Sequence, residues 1–403
     1  MKKGSFQLHR VHVIHHHTRP IGGKYSPKGE WVIRSQLTLC SSTINHAFIV
    51  RNENTALSTS SMWEIALITV LLAFAFTFTN GFQDASSIAA TFIASRSASP
   101  KNGIIFIAGV SLLGAILGGS AVAFTISGLL ILPSDEQTLL VLLIGLLTAT
   151  IWNLITWKYG LPASSTQSLI GGLVGGGIAA AGIGGIYWGF DQLVTPPYEL
   201  TGFVKILFFF VISIVIGFIG SFLMHKCTNF ILRNADRTVN KTIMFFNWCA
   251  AGVMAFSNGA NDSQKQLGII ALALFAAGLS TAAEVPFWAR VTCAILIAAG
   301  TLSGGWRIMN TLGRRIFKIE PIHSFDSQVF SSASIAVSTL AGAPVSSTQI
   351  ITMSVLGVGA AENPRKVKWS TGTHILIAMI ITIPVTMVMS AVLYLIISPF
   401  TGV

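Results

Sequence analysis

The chain has 403 residues and a net formal charge of +11, yet only 10% of its residues are charged and 52% are hydrophobic. A soluble domain carries about 25% charged residues, so a water-soluble globule and a disordered chain are both excluded. What remains is a polytopic helical membrane protein.

Residues 1–60 come first in chain order. They hold eight Lys/Arg, two acids and six of the nine His. They show no helical period and read as a basic N-terminal extension of low order. His12, His15, His16 and His17 lack an acid or Cys partner at ligand spacing, so a metal is the weaker reading of that run. An acid-poor transit peptide is an alternative for the tail. From Trp63 onward the chain reads as one membrane domain. Apolar stretches lie at 63–79, 103–132, 138–157, 203–224, 287–303 and 372–400. At ~1.5 Å per residue, each is about long enough to cross a ~30 Å hydrocarbon core. Between them, 80–95, 161–188, 243–280 and 325–362 are interrupted by polar or glycine-rich strings. In lipid, broken helices survive only where the freed backbone is buried in protein or lines a wet cavity. Function is therefore expected at these interruptions. The glycine-rich string 171–185 predicts close helix packing. Trp152, Trp188, Trp288 and Trp369 sit near segment ends, as interface anchors do. Residues 306–320 predict a basic amphipathic helix on the membrane surface. Cys40, Cys227, Cys249 and Cys293 form no framework, and the last two are expected to be buried.

The short loops 96–101, 225–241, 306–320 and 362–369 hold thirteen Lys/Arg between them. The loops 133–137, 189–202 and 281–289 hold none, but carry acids. The positive-inside rule places the first set in the cytoplasm and both termini outside. It then requires 138–188 to leave and return on the outer side, and 321–362 on the inner side. Each is expected to be a re-entrant helical hairpin.

This layout predicts an inverted repeat, and the sequence carries one. Residues 80–87 read N-G-F-Q-D-A-S-S and residues 258–265 read N-G-A-N-D-S-Q-K, 178 positions apart. Residues 160–168 read G-L-P-A-S-S-T-Q-S and residues 342–350 read G-A-P-V-S-S-T-Q-I, 182 apart. Two motifs recurring in one order argue for duplication. The expected fold is all-α and polytopic, with two inverted-topology repeats, broken helices and re-entrant hairpins. Repeat 1 is expected over 63–224, a cytoplasmic linker over 225–242, and repeat 2 over 243–403.

In the second motif, Pro162 and Pro344 end one helix, and the serines and threonines after them can cap the next. The first turn of that helix offers unpaired N–H groups and a dipole's positive end, which suits an anion. Local helix capping is the plainer alternative. In the first motif, Gly81 and Gly259 are expected to loosen the helix and expose carbonyls. Asp84 and Asp262 are acids deep in apolar segments, where a charge costs at least ~2.5–3.5 kcal/mol on insertion scales. For Asp262 a structural pair with Lys265 is the alternative reading. Two carboxylates beside an anion repel it in a low dielectric. The site works only if cations bridge them or if the acids are protonated, so cation-coupled anion uptake is expected.

These paired motifs resemble the inorganic phosphate transporter (PiT) family of cation–phosphate symporters, of prokaryotic type, over essentially 63–403. The first motif departs from the family pattern at Phe82 and Gln83, and Lys265 stands where a small residue is more usual. The resemblance implies phosphate contacts from Ser164, Ser165, Thr166, Ser346, Ser347, Thr348, Gln83 and Asn261. It implies Na⁺ contacts from Asp84, Asp262, Asn80 and Asn258, with Gln167 and Gln349 extending the polar lining. It implies symport of phosphate with Na⁺ by alternating access in the plasma (inner) membrane, and no organic cofactor. The expected partners are phosphate, Na⁺ and the lipid bilayer, without nucleic acid; a homo-oligomer is compatible. Alternatives are a proton-coupled phosphate or sulfate permease of the same fold, an anion channel, or an intramembrane aspartyl enzyme. No Walker A string exists, so ATP drive is unsupported.

Overall fold

The computed structural model describes residues 58–401 other than 162, 237, 305–308 and 310–316. The expected extension lies outside the described residues up to residue 57. So do Pro162 and most of the expected surface helix over 306–320. The described α-helices are α1 (Ser58–Ala94), α2 (Pro100–Leu117), α3 (Ala121–Ser127), α4 (Glu136–Tyr159), α5 (Ser165–Ala181) and α6 (Phe190–Val194). They continue with α7 (Gly202–Ile231), α8 (Val239–Ala276), α9 (Phe287–Ser303), α10 (Pro321–Leu340), α11 (Ser347–Glu362) and α12 (Trp369–Thr401).

Five of these helices, α1, α2, α4, α7 and α12, are long and apolar enough to cross a membrane. On α7, Phe208, Val211, Val215, Ile219 and Leu223 recur every three or four residues and are exposed. In water such a stripe is unfavourable; in a bilayer it is the lipid face. The chain is an integral membrane protein of all-α fold.

Two expectations about helix breaks are corrected. The N-G-x-x-D motifs do not interrupt their helices: α1 runs unbroken for 37 residues and α8 for 38. Gly81 and Gly259 serve close packing instead. A Cβ on Gly81 would stand 2.5 Å from the Ile297 carbonyl oxygen, and one on Gly259 would stand 2.1 Å from that of Ser111. The contact that glycine permits outweighs its ~1 kcal/mol helix penalty. Conversely, the stretch expected as one span over 103–132 breaks after Leu117. Arg290 of α9 donates to the freed carbonyls of Gly118 and Gly119 and to Ser120 Oγ. Cys293 is buried as expected, whereas Cys249 is exposed.

The helices pack in matching pairs. α1 packs on α4 and α9, and α8 packs on α10 and α2. α5 lies along α12, and α11 lies along α7. Exchanging α1, α2, α4, α5 and α7 for α8, α9, α10, α11 and α12 turns each of these contacts into another one.

Each half contains a helical hairpin, α4–α5 and α10–α11. Both tips begin at a glycine in the left-handed region, Gly160 at φ 66° and Gly342 at φ 67°. These are the first glycines of the two recurring motifs, placed where a side chain would be strained. At the open end of the first hairpin, Gln137 Nε2 donates to the Ala180 carbonyl at 3.2 Å. At the open end of the second, His225 of α7 bridges two carboxylates. Its Nδ1 lies 2.6 Å from Asp326 of α10, and its Nε2 lies 3.2 Å from Glu362 of α11. The first hairpin buries Leu139, Leu142 and Leu146 in one core with Ala66, Val70 and Ala73 of α1. The second begins beside Ala94, Ser95 and Arg96, where α1 ends. The hairpins therefore approach from opposite ends of α1 and meet tip to tip.

Candidate functional site

The hairpin tips meet around the two N-G-x-x-D motifs. Thr166, in the first turn of α5, donates to the Val345 carbonyl of the other tip at 3.0 Å. Ser164 and Ser346 each precede a helix and accept from the N–H three residues on, Gln167 at 3.1 Å and Gln349 at 3.2 Å. Each is thus an N-cap. Capping uses the hydroxyl's lone pair and leaves its proton free to donate. Behind each cap the first backbone N–H groups, those of Ser165, Thr166, Ser347 and Thr348, have no intrahelical acceptor. Two positive helix ends face one another across the tip contact.

Asp84 sits between the hairpins. Its Oδ2 accepts from Ser165 Oγ at 2.5 Å, and its Oδ1 accepts from Thr348 Oγ1 at 2.7 Å. Both carboxyl oxygens are engaged, one by each hairpin. Asp262 is bound differently. Its Oδ1 receives Lys265 Nζ at 2.5 Å, and the same Nζ donates to Thr166 Oγ1 at 2.6 Å and to the Val345 carbonyl at 3.0 Å. The alternative reading of Asp262, a pair with Lys265, is thus present in the structure. Asp84 directly, and Asp262 through Lys265, are tied to adjacent residues, Ser165 and Thr166, of one helix start.

Gln83 and Asn261 tie each motif to a hairpin. Gln83 Nε2 donates to Thr156 Oγ1 at 3.2 Å and lies 3.5 Å from the Ala163 carbonyl. Asn261 Nδ2 donates to Thr339 Oγ1 at 2.8 Å and to the Ala343 carbonyl at 3.3 Å. The donors of these amides are therefore occupied by protein.

The remaining expected residues carry a different signature. Asn80 Oδ1, Asn258 Oδ1, Gln167 Oε1, Gln349 Oε1 and Ser347 Oγ are buried and make no hydrogen bond. Four of these are the amides expected to meet Na⁺. A buried polar oxygen without a partner costs roughly 1–3 kcal/mol; these five all belong to the two motifs and two helix starts, although unpartnered buried atoms also occur elsewhere, as at Ser221 and Gln266. Hard amide, hydroxyl and carboxylate oxygens suit a hard cation. None of the expected phosphate or Na⁺ residues is more than 4% exposed. This conformation is occluded.

Residue-by-residue reading missed Ser87, whose hydroxyl donates to Thr348 Oγ1 at 3.3 Å. The repeat register held the signal, since Ser87 follows Asp84 as Lys265 follows Asp262. It also missed Asp326, fully buried on α10. Near it, His225, His323 and Glu362 bring ligand atoms within 4.8 Å of one another. His323 Nδ1 already accepts from the Glu320 N–H at 3.1 Å, and both nitrogens of His225 face carboxylates. That group is a hydrogen-bonded clamp.

A family model described as the phosphate transporter family matches residues 80–245 and 232–390. A probable low-affinity inorganic phosphate transporter of Bacillus subtilis is 34% identical over 337 residues, spanning 83% of this chain and 97% of that protein. One from Mycobacterium tuberculosis H37Rv is 36% identical over 333 residues, spanning 82% of this chain and 77% of the relative. A solved structure titled the sodium-dependent phosphate transporter aligns with a TM-score of 0.74 at 22% identity. It covers 83% of this chain and 99% of its own, and carries the likeness of fold.

Proposed function

Because this chain belongs to the phosphate transporter family, we propose that it carries inorganic phosphate across a bilayer in symport with Na⁺ by alternating access. Membership of a transporter family overturns the aspartyl-enzyme reading of the paired acids. The observation that carries the coupling is that Asp84 bonds to both helix starts while the motif and helix-start oxygens of Asn80, Asn258, Gln167, Gln349 and Ser347 are buried without partners. Phosphate takes the hydroxyls and first-turn N–H groups of Ser164, Ser165, Thr166, Ser346, Ser347 and Thr348, joined by Gln83 and Asn261 once these release Thr156 and Thr339. Na⁺ takes the oxygens of Asp84, Asn80 and Gln167, and the repeat-related oxygens of Asp262, Asn258 and Gln349 form a second cation position, where Lys265 Nζ already lies 2.5 Å from Asp262. Each ion is disfavoured alone in this low dielectric: Lys265 balances Asp262, but the anion still meets the Asp84 carboxylate and the cation meets two helix dipoles. Together they neutralise one another, and that mutual requirement is the coupling. Asp84 bonds at both oxygens to the two hairpin starts, where a companion cation would sit between them.

The two halves act as inverted repeats, 63–224 and 243–403, with the segment between α7 and α8 as linker. Their interchangeable packing supports this division. The basic segments converge on one cavity of about 800 Å³ lined by Arg96, Lys318, Lys366 and Lys368. This supports a cytoplasmic face there, with the described chain ends opposite, in a plasma membrane. Such a vestibule raises the local concentration of anions. Transport requires each hairpin to part from the other in turn.

The test is uptake of labelled phosphate into vesicles bearing the purified protein. An imposed Na⁺ gradient is expected to drive accumulation, and an imposed pH gradient is not. Accumulation driven by the pH gradient alone contradicts the Na⁺ reading, and loss of uptake to equimolar sulfate contradicts the phosphate reading.

A further inference from the structure

The two halves match closely enough at the site for one of their mismatches, Ser87 against Lys265, to be read. The first motif's spacing of 178 places Asp262 on Asp84 and Lys265 on Ser87. The second motif's spacing of 182 places Thr348 on Thr166 and Ser347 on Ser165. In the first half, Asp84 receives Ser165 of its own hairpin at 2.5 Å and Thr348 of the other at 2.7 Å. By register, Asp262 is due Ser347 and Thr166. It receives neither. Lys265 Nζ stands between Asp262 and Thr166, 2.5 Å from one and 2.6 Å from the other, while Ser347 Oγ is buried without a partner.

The third contact of Nζ is the Val345 carbonyl at 3.0 Å. The nitrogen is therefore held by a carboxylate, a hydroxyl and a carbonyl from three elements: α8, the start of α5, and the second tip. Thr166 spends its own proton on Val345, so all three bonds around Nζ need a proton from the lysine. Only the ammonium has three. The side chain is 1% exposed and lies wholly within protein. A positive charge ringed by hard oxygens, at the position related by the repeat to a cation-seeking aspartate, is what a bound monovalent cation would look like there.

We propose that Lys265 is a tethered cation that permanently fills the second of two related Na⁺ positions, so that this chain couples phosphate to one Na⁺ fewer than its paired aspartates allow. The proposal rests on the symport reading above for the identity of the moving ions. Asp84, Asn80 and Gln167 hold the exchangeable ion. Asp262 keeps its charge balanced in every state of the cycle, and the second hairpin stays attractive to phosphate even when Na⁺ is scarce.

The experiment is a dual-label flux ratio, ²²Na⁺ against ³²P-phosphate, in vesicles bearing the full chain or its Lys265→Ser variant. Serine is what the repeat places at this position, and it restores room and an oxygen. The wild type is expected to move one Na⁺ with each phosphate, and the variant one more, with steeper dependence on Na⁺ concentration. Lys265→Ala opens the same three oxygens and is the second variant should the serine form fail to insert. An unchanged ratio in a folded variant, or two or more Na⁺ per phosphate in the wild type, overturns the proposal. A wild-type ratio of zero sinks the Na⁺ reading of Asp84 instead; the variant's gain of one Na⁺, or its absence, then decides the role of Lys265.

Discussion

Thr348, at the start of α11, donates a 2.7 Å hydrogen bond to Oδ1 of Asp84 on α1. The other oxygen of that carboxylate accepts from Ser165, at the start of α5, at 2.5 Å. One buried acid therefore registers the positions of both hairpins. Withdrawing either tip leaves one of its oxygens without a partner, unless a transported ion takes over.

Asp84→Asn removes the charge while keeping the shape. Hydrogen bonds to charged groups contribute about 1.5–3 kcal/mol each, so phosphate uptake is expected to fall at least tenfold and its Na⁺ stimulation to disappear. Uptake by the reconstituted variant, with its elution profile in detergent as the folding control, checks this.

Ser347→Ala separates binding from folding. Its hydroxyl is buried without a partner, so deleting it removes an unsatisfied group at little cost to packing. The variant is expected to keep or raise its Tm and to show a severalfold higher KM for phosphate. A thermal melt and a concentration series of uptake read the two effects independently.

Gly259→Ala tests the reassignment of the motif glycines from helix breakers to packing contacts. A Cβ there would lie 2.1 Å from the Ser111 carbonyl oxygen, whereas one on Gly109 meets nothing within 4 Å. Overpacking typically costs about 1–3 kcal/mol. Gly259→Ala is expected to lower the Tm by several degrees, and Gly109→Ala to leave it unchanged or slightly raised.

His225→Ala leaves Asp326, fully buried, with Thr228 at 2.8 Å as its one remaining hydrogen-bond partner among the described residues. Breaking a buried ionic contact from one side costs about 3–5 kcal/mol. The melt is expected to fall well below that of Cys227→Ala, an exposed neighbour on the same helix.

The sequence carried the hairpins and their tips because those signals are local. A glycine at positive φ, a proline and a capping serine act over four residues, and they recur in register at Gly160 and Gly342. The membrane class followed from composition, and the aspartates from the cost of an acid at that depth. The continuity of α1 and α8 was not legible, since a glycine's local penalty and its tertiary reward look alike until the partner backbone is known. Ile297 lies 216 positions from Gly81. The same distance problem hid Asp326, whose histidine is 101 residues away. Lys265 was visible as an oddity, but its three acceptors come from elements that only the fold brings together.

The central claim is that cation and phosphate stabilise one another in the pocket between Asp84, Asp262 and the two hairpin tips. Titrating phosphate into the purified protein by calorimetry, over a series of Na⁺ concentrations at fixed ionic strength, measures this directly. Phosphate affinity is expected to rise with Na⁺, and Na⁺ affinity to rise by the same factor with phosphate, as linkage requires. Phosphate binding of equal strength with and without Na⁺ contradicts the account.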